Sequence, residues 1–477
     1  MKFTFSTASI EEIPKGYVCV RITENEWGVV RHVREEGGEA LEVGAGAFAE
    51  LSERRFRILC RKIIRAARAA KIKKIACQFT QEPFPHLRDL SPDIFGALIG
   101  EQVEMAHFEW RERKTKPADG WADVEEILLC GNSSKAFKEG FMRGSIIGQG
   151  VNACRALSNT PGGDMTPTKL AHAAKEAMRG LPVKVTILRR KELEKLRMGA
   201  LLGVARGSSE EPTFTILEYD GFRKPVKNGK SGGKGKPIVL AGKGVTFDSG
   251  GLSLKTANSM YEMHMDMSGA AAVIHAVALA AKLKLKTRVI GLIPSVENMP
   301  GNYAYRPGDI LTSLSGKTIE VTNTDAEGRL ILADAITYAK RFDPAAVIDV
   351  ATLTGAAMVA LGQHASGILS RDDLLAKQLE ESGERSGDYV WRLPLWDEYE
   401  ELVKGTFADI ANASIGAGGR YGGAIEGGMF LWQFAKELDC PWAHIDIAPR
   451  MTTVQGEELA KGAAGAGVRL LLRYLNI

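Results

Sequence analysis

The chain has 477 residues, 45% hydrophobic and 25% charged, with a formal net charge of +4. That length predicts two or at most three domains, and the small charge gives no global field for nucleic acid or a membrane, so such a partner needs a local patch. Cys19, Cys60, Cys77, Cys130, Cys154 and Cys440 lie far apart, form no C-x-x-C pair, and read as reduced core residues of a cytoplasmic protein. Lys2 is followed by a short, polar-interrupted run and then Glu11 and Glu12, which does not fit a signal peptide.

In residues 1–158, β-rich runs at 17–22, 72–79 and 126–129 alternate with helical patterns, predicting a smaller α/β domain. A helix over 48–70 sets Phe56, Leu59, Ile63 and Ala67 on one face and Arg54, Arg55, Arg57, Arg61, Lys62, Arg65 and Arg68 elsewhere. Such a helix reads as a solvated face, with nucleic-acid or membrane binding as the competing reading. Residues 111–119 read as an exposed loop, and a helix over 135–157 ends at Ser158-Asn159-Thr160-Pro161-Gly162-Gly163, the best domain boundary.

The larger second domain, 159–477, opens with Thr166 as a helix cap and Pro167 in the first helical position, then a strand at 183–187. Runs 213–219 and 237–241 read as adjacent strands joined by a Lys/Gly-rich solvated loop at 224–236. Gly229-Lys230-Ser231 and Gly316-Lys317-Thr318 both lack the upstream glycine of a phosphate loop. The uncharged run 350–370 is long enough to span a bilayer but holds Gly, Thr, Gln363 and His364, too polar for that role.

Chemistry concentrates in Asn323-Thr324-Asp325-Ala326-Glu327-Gly328-Arg329-Leu330. In an extended backbone Asp325, Glu327 and Arg329 would converge, and carboxylates so close need a cation between them or one takes up a proton. As a helix entry the same residues would be a cap, a dipole partner and a solvated charge. Upstream, a strand runs into Lys243, Asp248 between flanking glycines, and Lys255 at the kind of strand end where open α/β sheets place ligands. Asp266 precedes an alanine-rich helix, either as its cap or as a fourth acid. His275 inside that helix reads as packed core; His264 is a weaker ligand than the hard oxygen donors around it. Asp248-Ser249-Gly250-Gly251 looks like a serine-protease nucleophile turn, but the alternating αβ context and the lack of a linked histidine exclude it.

These residues resemble the M17 leucyl aminopeptidase (cytosol aminopeptidase) family. The octapeptide matches its signature throughout, and blocks at 243–255, 263–272, 297–300, 305–309, 349–356 and 442–448 follow in order. The resemblance implies an α/β fold of two domains: a smaller N-terminal macro-domain-like one with an oligomer or regulatory role, and a larger C-terminal metallopeptidase domain with a mixed central sheet. It implies an exopeptidase with two divalent ions, zinc or manganese, removing N-terminal leucine or another apolar residue from peptides in the cytoplasm. By position Asp248, Asp325 and Glu327 would hold one ion and Lys243, Asp248, Asp266 and Glu327 the other. Lys255 would polarise the scissile carbonyl, and Arg329 would hold a bicarbonate serving as general base. Met263, Asn323, Ala326, Thr352 and Gly355 match positions that line the pocket for the substrate's first side chain. A homohexamer is implied, with no membrane partner. DNA binding by the same scaffold is the alternative, supported only by the basic helix. Pro449-Arg450 and His264 depart from the family pattern, the former bearing on side-chain preference.

Overall fold

The computed structural model describes residues 1–35, 38–131, 134–222, 235–414 and 421–476. Two compact units are present: Met1–Asn152 with Thr453–Lys461, and Ala153–Thr452 with Gly462–Ile477. The division falls inside the helix Lys135–Ser158.

The first unit is a six-stranded sheet in the order Lys2–Phe5, Glu126–Cys130, Lys74–Gln78, Val18–Thr23, Gly38–Gly44, Val30–Glu35, parallel except at the last pair. The helix Glu53–Ala69 starts where Ser52 accepts from the Arg55 N–H, and it buries Phe56, Leu59, Cys60, Ile63 and Ile64 against Leu41, Val43 and Ile75. Only part of its basic set forms the solvated face read from the sequence: Arg54 and Arg55 are exposed, and Lys62 and Arg65 partly so. Arg57, Arg61 and Arg68 are buried. Arg61 donates to Gln102 Oε1 at 2.7 Å and to the Glu457 carbonyl at 3.1 Å. Arg68 donates to the carbonyls of Ala122 and His107 and to Glu109 Oε2 at 2.7 Å. The sequence pattern misleads because a guanidinium can turn inward when acids and carbonyls receive it. Arg111, assigned to an exposed loop, is likewise tied to Asp123 and Glu109 and stacks on Trp121.

The second unit carries a nine-stranded mixed sheet. Along its path lie Val390–Arg392, Ser366–Leu369, Trp442–Asp446, Ala346–Ala351, Ile238–Gly242, Arg288–Asn298, Thr213–Asp220 and Val183–Arg189, with Gly244–Asp248 paired off this path to Arg288–Asn298. The runs expected to be neighbours are not: the eleven-residue strand Arg288–Asn298 lies between Ile238–Gly242 (parallel) and Thr213–Asp220 (antiparallel). Position in sequence could not show this, since the separating strand follows both. Residues 224–234 of the predicted solvated loop lie outside the described residues.

The central strands read as unbroken apolar runs because both faces are covered. Val239 and Ala241 enter a cluster with Leu330, Ile331 and Leu332 of the helix Gly328–Ala339, while Leu240 alternates to the other face. The run 350–370 resolves into strand ends and the helix Gly355–Leu361. The cap at Thr166 and the proline at the helix start form as read. His275 keeps a little exposed surface but packs as read, and burial pushes its imidazole down to about 4. None of the six cysteines is in a disulfide, and burial pushes the Cys154 thiol up to about 12.

Candidate metal centre

Four strands deliver the site from their C-terminal ends. Lys243 follows Ile238–Gly242, Asp248 ends Gly244–Asp248, Asn298 ends Arg288–Asn298, and Thr352 follows Ala346–Ala351. After Asp248 the chain reverses through Gly250 and Gly251, whose φ of +85° and +63° suit a residue without Cβ. The Lys255 N–H then bonds the Ser249 carbonyl at 3.0 Å, closing the loop so that Lys255 returns over Asp248.

Two lysines interleave four acids. Lys243 Nζ lies 2.9 Å from Asp266 Oδ2 and 2.8 Å from Glu327 Oε1, and donates to the Thr352 carbonyl at 3.0 Å. Lys255 Nζ lies 2.8 Å from Asp248 Oδ2 and 2.5 Å from Asp325 Oδ1. Oxygens of Asp248, Asp325 and Glu327 all fall within 4.8 Å of one another. Gly328 has a different use from the turn its position suggests: a Cβ there would come within 2.6 Å of Lys243 Nζ, so its absence admits the lysine.

Whether a cation fits can be judged from hydrogen bonds. Asp266 Oδ2, Asp325 Oδ1 and Glu327 Oε1 are buried and accept none. Each of these oxygens faces an ammonium group at 2.5 to 2.9 Å and meets no other donor among the described residues, so its charge is turned towards a cation. Carboxylate oxygens aimed inward and unsatisfied are a fitting donor set for divalent ions.

Electrostatics agree. Burial, reinforced by the Glu327 charge, lifts the Asp248 carboxyl to about 7, and burial lifts Asp266 well above the carboxylate range. Asp325 is raised by burial and then by Glu327. Burial works against the charged form of Glu327 too, but Lys243 and Lys255 outweigh it and hold this carboxyl low. Both lysines are raised, because the surrounding acids overcome the opposing effect of burial. Without a metal the cluster therefore holds charged lysines and shares protons among its acids.

The octapeptide is not extended. Asp325 N–H bonds Asn323 Oδ1 and Ala326 N–H bonds the Asn323 carbonyl, so the chain turns before the helix begins at Gly328. Asp325 and Glu327 still converge, but Arg329 does not join them: its Nη1 donates to the Asn412 carbonyl at 2.6 Å and to Glu426 Oε1 at 2.9 Å. The helix-entry reading fails as well, since Glu327 occupies the cap position without a side-chain cap bond. Nor does Asp266 cap the helix Ser268–Lys282; Thr352 Oγ1 donates to its Oδ1 at 2.7 Å.

Of the residues matched to a substrate pocket, Thr352 thus joins the acids, and Asn323 and Ala326 share Asn412, whose Nδ2 donates to both carbonyls. Met263 packs with Met265, Met451 and Ala463, and Gly355 is exposed at a helix start that Thr354 caps. A cleft of about 930 Å³ lined by Arg371, Arg392 and Trp396 contains none of these residues.

Sequence reading passed over the supports. Asn298 Nδ2 donates to Asp248 Oδ1 at 2.8 Å and to the Thr324 carbonyl at 2.9 Å, tying two acid-bearing segments together. Tyr305 OH donates to the same carbonyl, and Thr324 Oγ1 to the Gly250 carbonyl at 2.6 Å. Asn298 and Tyr305 stood inside matching blocks, but nothing in their spacing assigns a task.

A buried acid–lysine cluster at the strand ends of an α/β fold defines a protein equipped to bind divalent metal. Residues 152–472 match the model of the cytosol aminopeptidase family's catalytic domain. The chain is 43% identical over 441 residues to a probable cytosol aminopeptidase of Nitrosospira multiformis (91% of this chain, 81% of that one). With the counterpart from Aromatoleum aromaticum it shares 42% over 484 residues (98% and 92%), and with that from Chlorobaculum tepidum 49% over 384 (80% and 73%). The structure of the bottromycin maturation enzyme BotP in complex with Mn superposes with a TM-score of 0.84 at 29% identity, covering 96% of this chain and 98% of that one. The chain belongs to the cytosol aminopeptidase family, and is a metal-dependent aminopeptidase. None of these similarities supports the DNA-binding alternative.

Proposed function

We propose that the cluster holds two divalent ions, zinc or manganese, and that the chain removes N-terminal leucine or another apolar residue from peptides. The observation that carries this is the set of buried oxygens on Asp266, Asp325 and Glu327 that face the two lysine ammonium groups and no other donor. Asp248, Asp325 and Glu327 would hold one ion, and Lys243, Asp248, Asp266 and Glu327 the other. Bound there, the ions would lower the pKa of a shared water and polarise the scissile carbonyl.

The chain's own residues divide by exposure. Lys243, with 3% of its side chain exposed, is sealed in and suits ligation, which requires it to give up its proton. Lys255, at 14%, is the lysine a substrate can reach, and it would stabilise charge developing on the carbonyl oxygen. Met263, Asn323, Ala326, Thr352 and Gly355 would form the wall for the first side chain; an apolar wall favours apolar residues but separates them weakly. The manganese in the BotP structure and the relatives' naming as cytosol aminopeptidases support a divalent ion and a cytoplasmic setting. Assembly as a homohexamer, with the first unit in an oligomer or regulatory role, belongs to the same reading; light scattering giving a monomer mass would remove it.

The test is release of leucine from a chromogenic amide. Activity should vanish with a strong chelator and return with zinc or manganese. Activity indifferent to chelation would overturn the metal centre.

A further inference from the structure

The resemblance assigns Arg329 a bicarbonate, but the structure sets a carboxylate of the chain itself against this guanidinium. We infer that Glu426 supplies, from within the chain, the carboxylate that Arg329 requires, so that this site takes no bicarbonate. The inference rests on the aminopeptidase reading.

Arg329 is 7% exposed in its side chain and Glu426 5%. A buried guanidinium cannot shed its proton, so it needs a counter-anion or a large desolvation cost remains. Glu426 Oε1 meets it at 2.9 Å, presenting the planar, singly charged O–C–O group that bicarbonate would present. This carboxylate is fixed: its Oε2 accepts from Ser414 Oγ at 2.5 Å and from the Ser414 N–H at 3.2 Å. It also stands in the first turn of the helix Gly423–Ala435, where the helix dipole favours negative charge.

The same helix runs beside the other guanidinium nitrogen, where a Cβ on Gly427 would lie 3.5 Å from Arg329 Nη2. An external anion would have to share this buried space with a fixed carboxylate, and like charges so placed repel. Glu426 therefore acts through Arg329 as a positioning residue. Arg329 in turn bonds the Asn412 carbonyl, and the Asn412 amide holds the turn bearing Asp325 and Glu327.

The experiment compares the metal-loaded wild type with Glu426→Ala in buffers stripped of carbon dioxide and in buffers with added bicarbonate. Wild-type turnover should change by less than about two-fold, whereas the variant should lose about ten-fold or more and regain it with bicarbonate or formate. In the metal-loaded proteins, bicarbonate should raise the melting temperature of the variant and leave the wild type unchanged. A wild type that loses about ten-fold on bicarbonate removal, or a folded variant indifferent to the anion, would overturn the inference. Should the variant fail to fold, the wild-type arm decides alone. No aminopeptidase activity in any buffer would defeat the function reading instead, and the melting shifts would still decide Glu426.

Discussion

The two units bury charge to opposite ends. In the first, Arg68 sends each of its three nitrogens to a carbonyl or carboxylate, and Arg61 is met by an amide and a carbonyl. In the second, Lys243 and Lys255 crowd among acids, three of whose oxygens, Asp266 Oδ2, Asp325 Oδ1 and Glu327 Oε1, face an ammonium group and no other donor. Both arrangements cost desolvation, but only the second leaves valence unused. Buried charge alone does not mark a working site; an inward-facing donor set without partners does.

That contrast can be broken by substitution. Glu327→Ala should have the largest effect: losing an acid shared by both proposed ions should lower turnover by about 10³-fold or more, with less metal retained on dialysis. An unchanged rate would refute the centre. Asn298→Ala leaves every acid in place but unties Asp248 from Thr324, and should weaken metal affinity by about 10–100-fold in calorimetric titration. Arg68→Ala should show the other behaviour: about 2 kcal/mol of stability lost in urea, from stranded acceptors, with turnover per folded molecule unchanged.

A further effect is one of pH. Asp334 accepts from the N–H groups of Leu201 and Leu314, but burial dominates and lifts its carboxyl to about 7. The unfolded chain ionises this group near about pH 4, so the folded state keeps the proton longer. Its contribution to stability is then complete below about pH 4 and is lost as pH rises towards 7. Asp334→Asn should remove that component from the pH dependence of melting; an unaltered profile would show that the N–H groups keep Asp334 ionised.

The candidate acids were legible because their residue types and local spacing carry the chemistry: Asp325 and Glu327 two apart, Asp248 in a glycine turn, Asp266 before a helix. Covalent neighbourhood also fixed the cap at Thr166 and the helix after Gly328, where propensity and tertiary packing agree. Direction was less legible, as the basic helix showed.

By itself, then, the sequence determined the family, the α/β class and the set of groups able to hold metal, since these depend on composition and short-range order. Only the tertiary structure decided what those groups face. Arg288–Asn298 inserts between two strands that precede it, Asn298 reaches Thr324 across the fold, and Glu426 reaches Arg329 from a later helix. Such pairings join residues far apart along the chain, and their hydrogen bonds exist only once the sheet has brought its strand ends together.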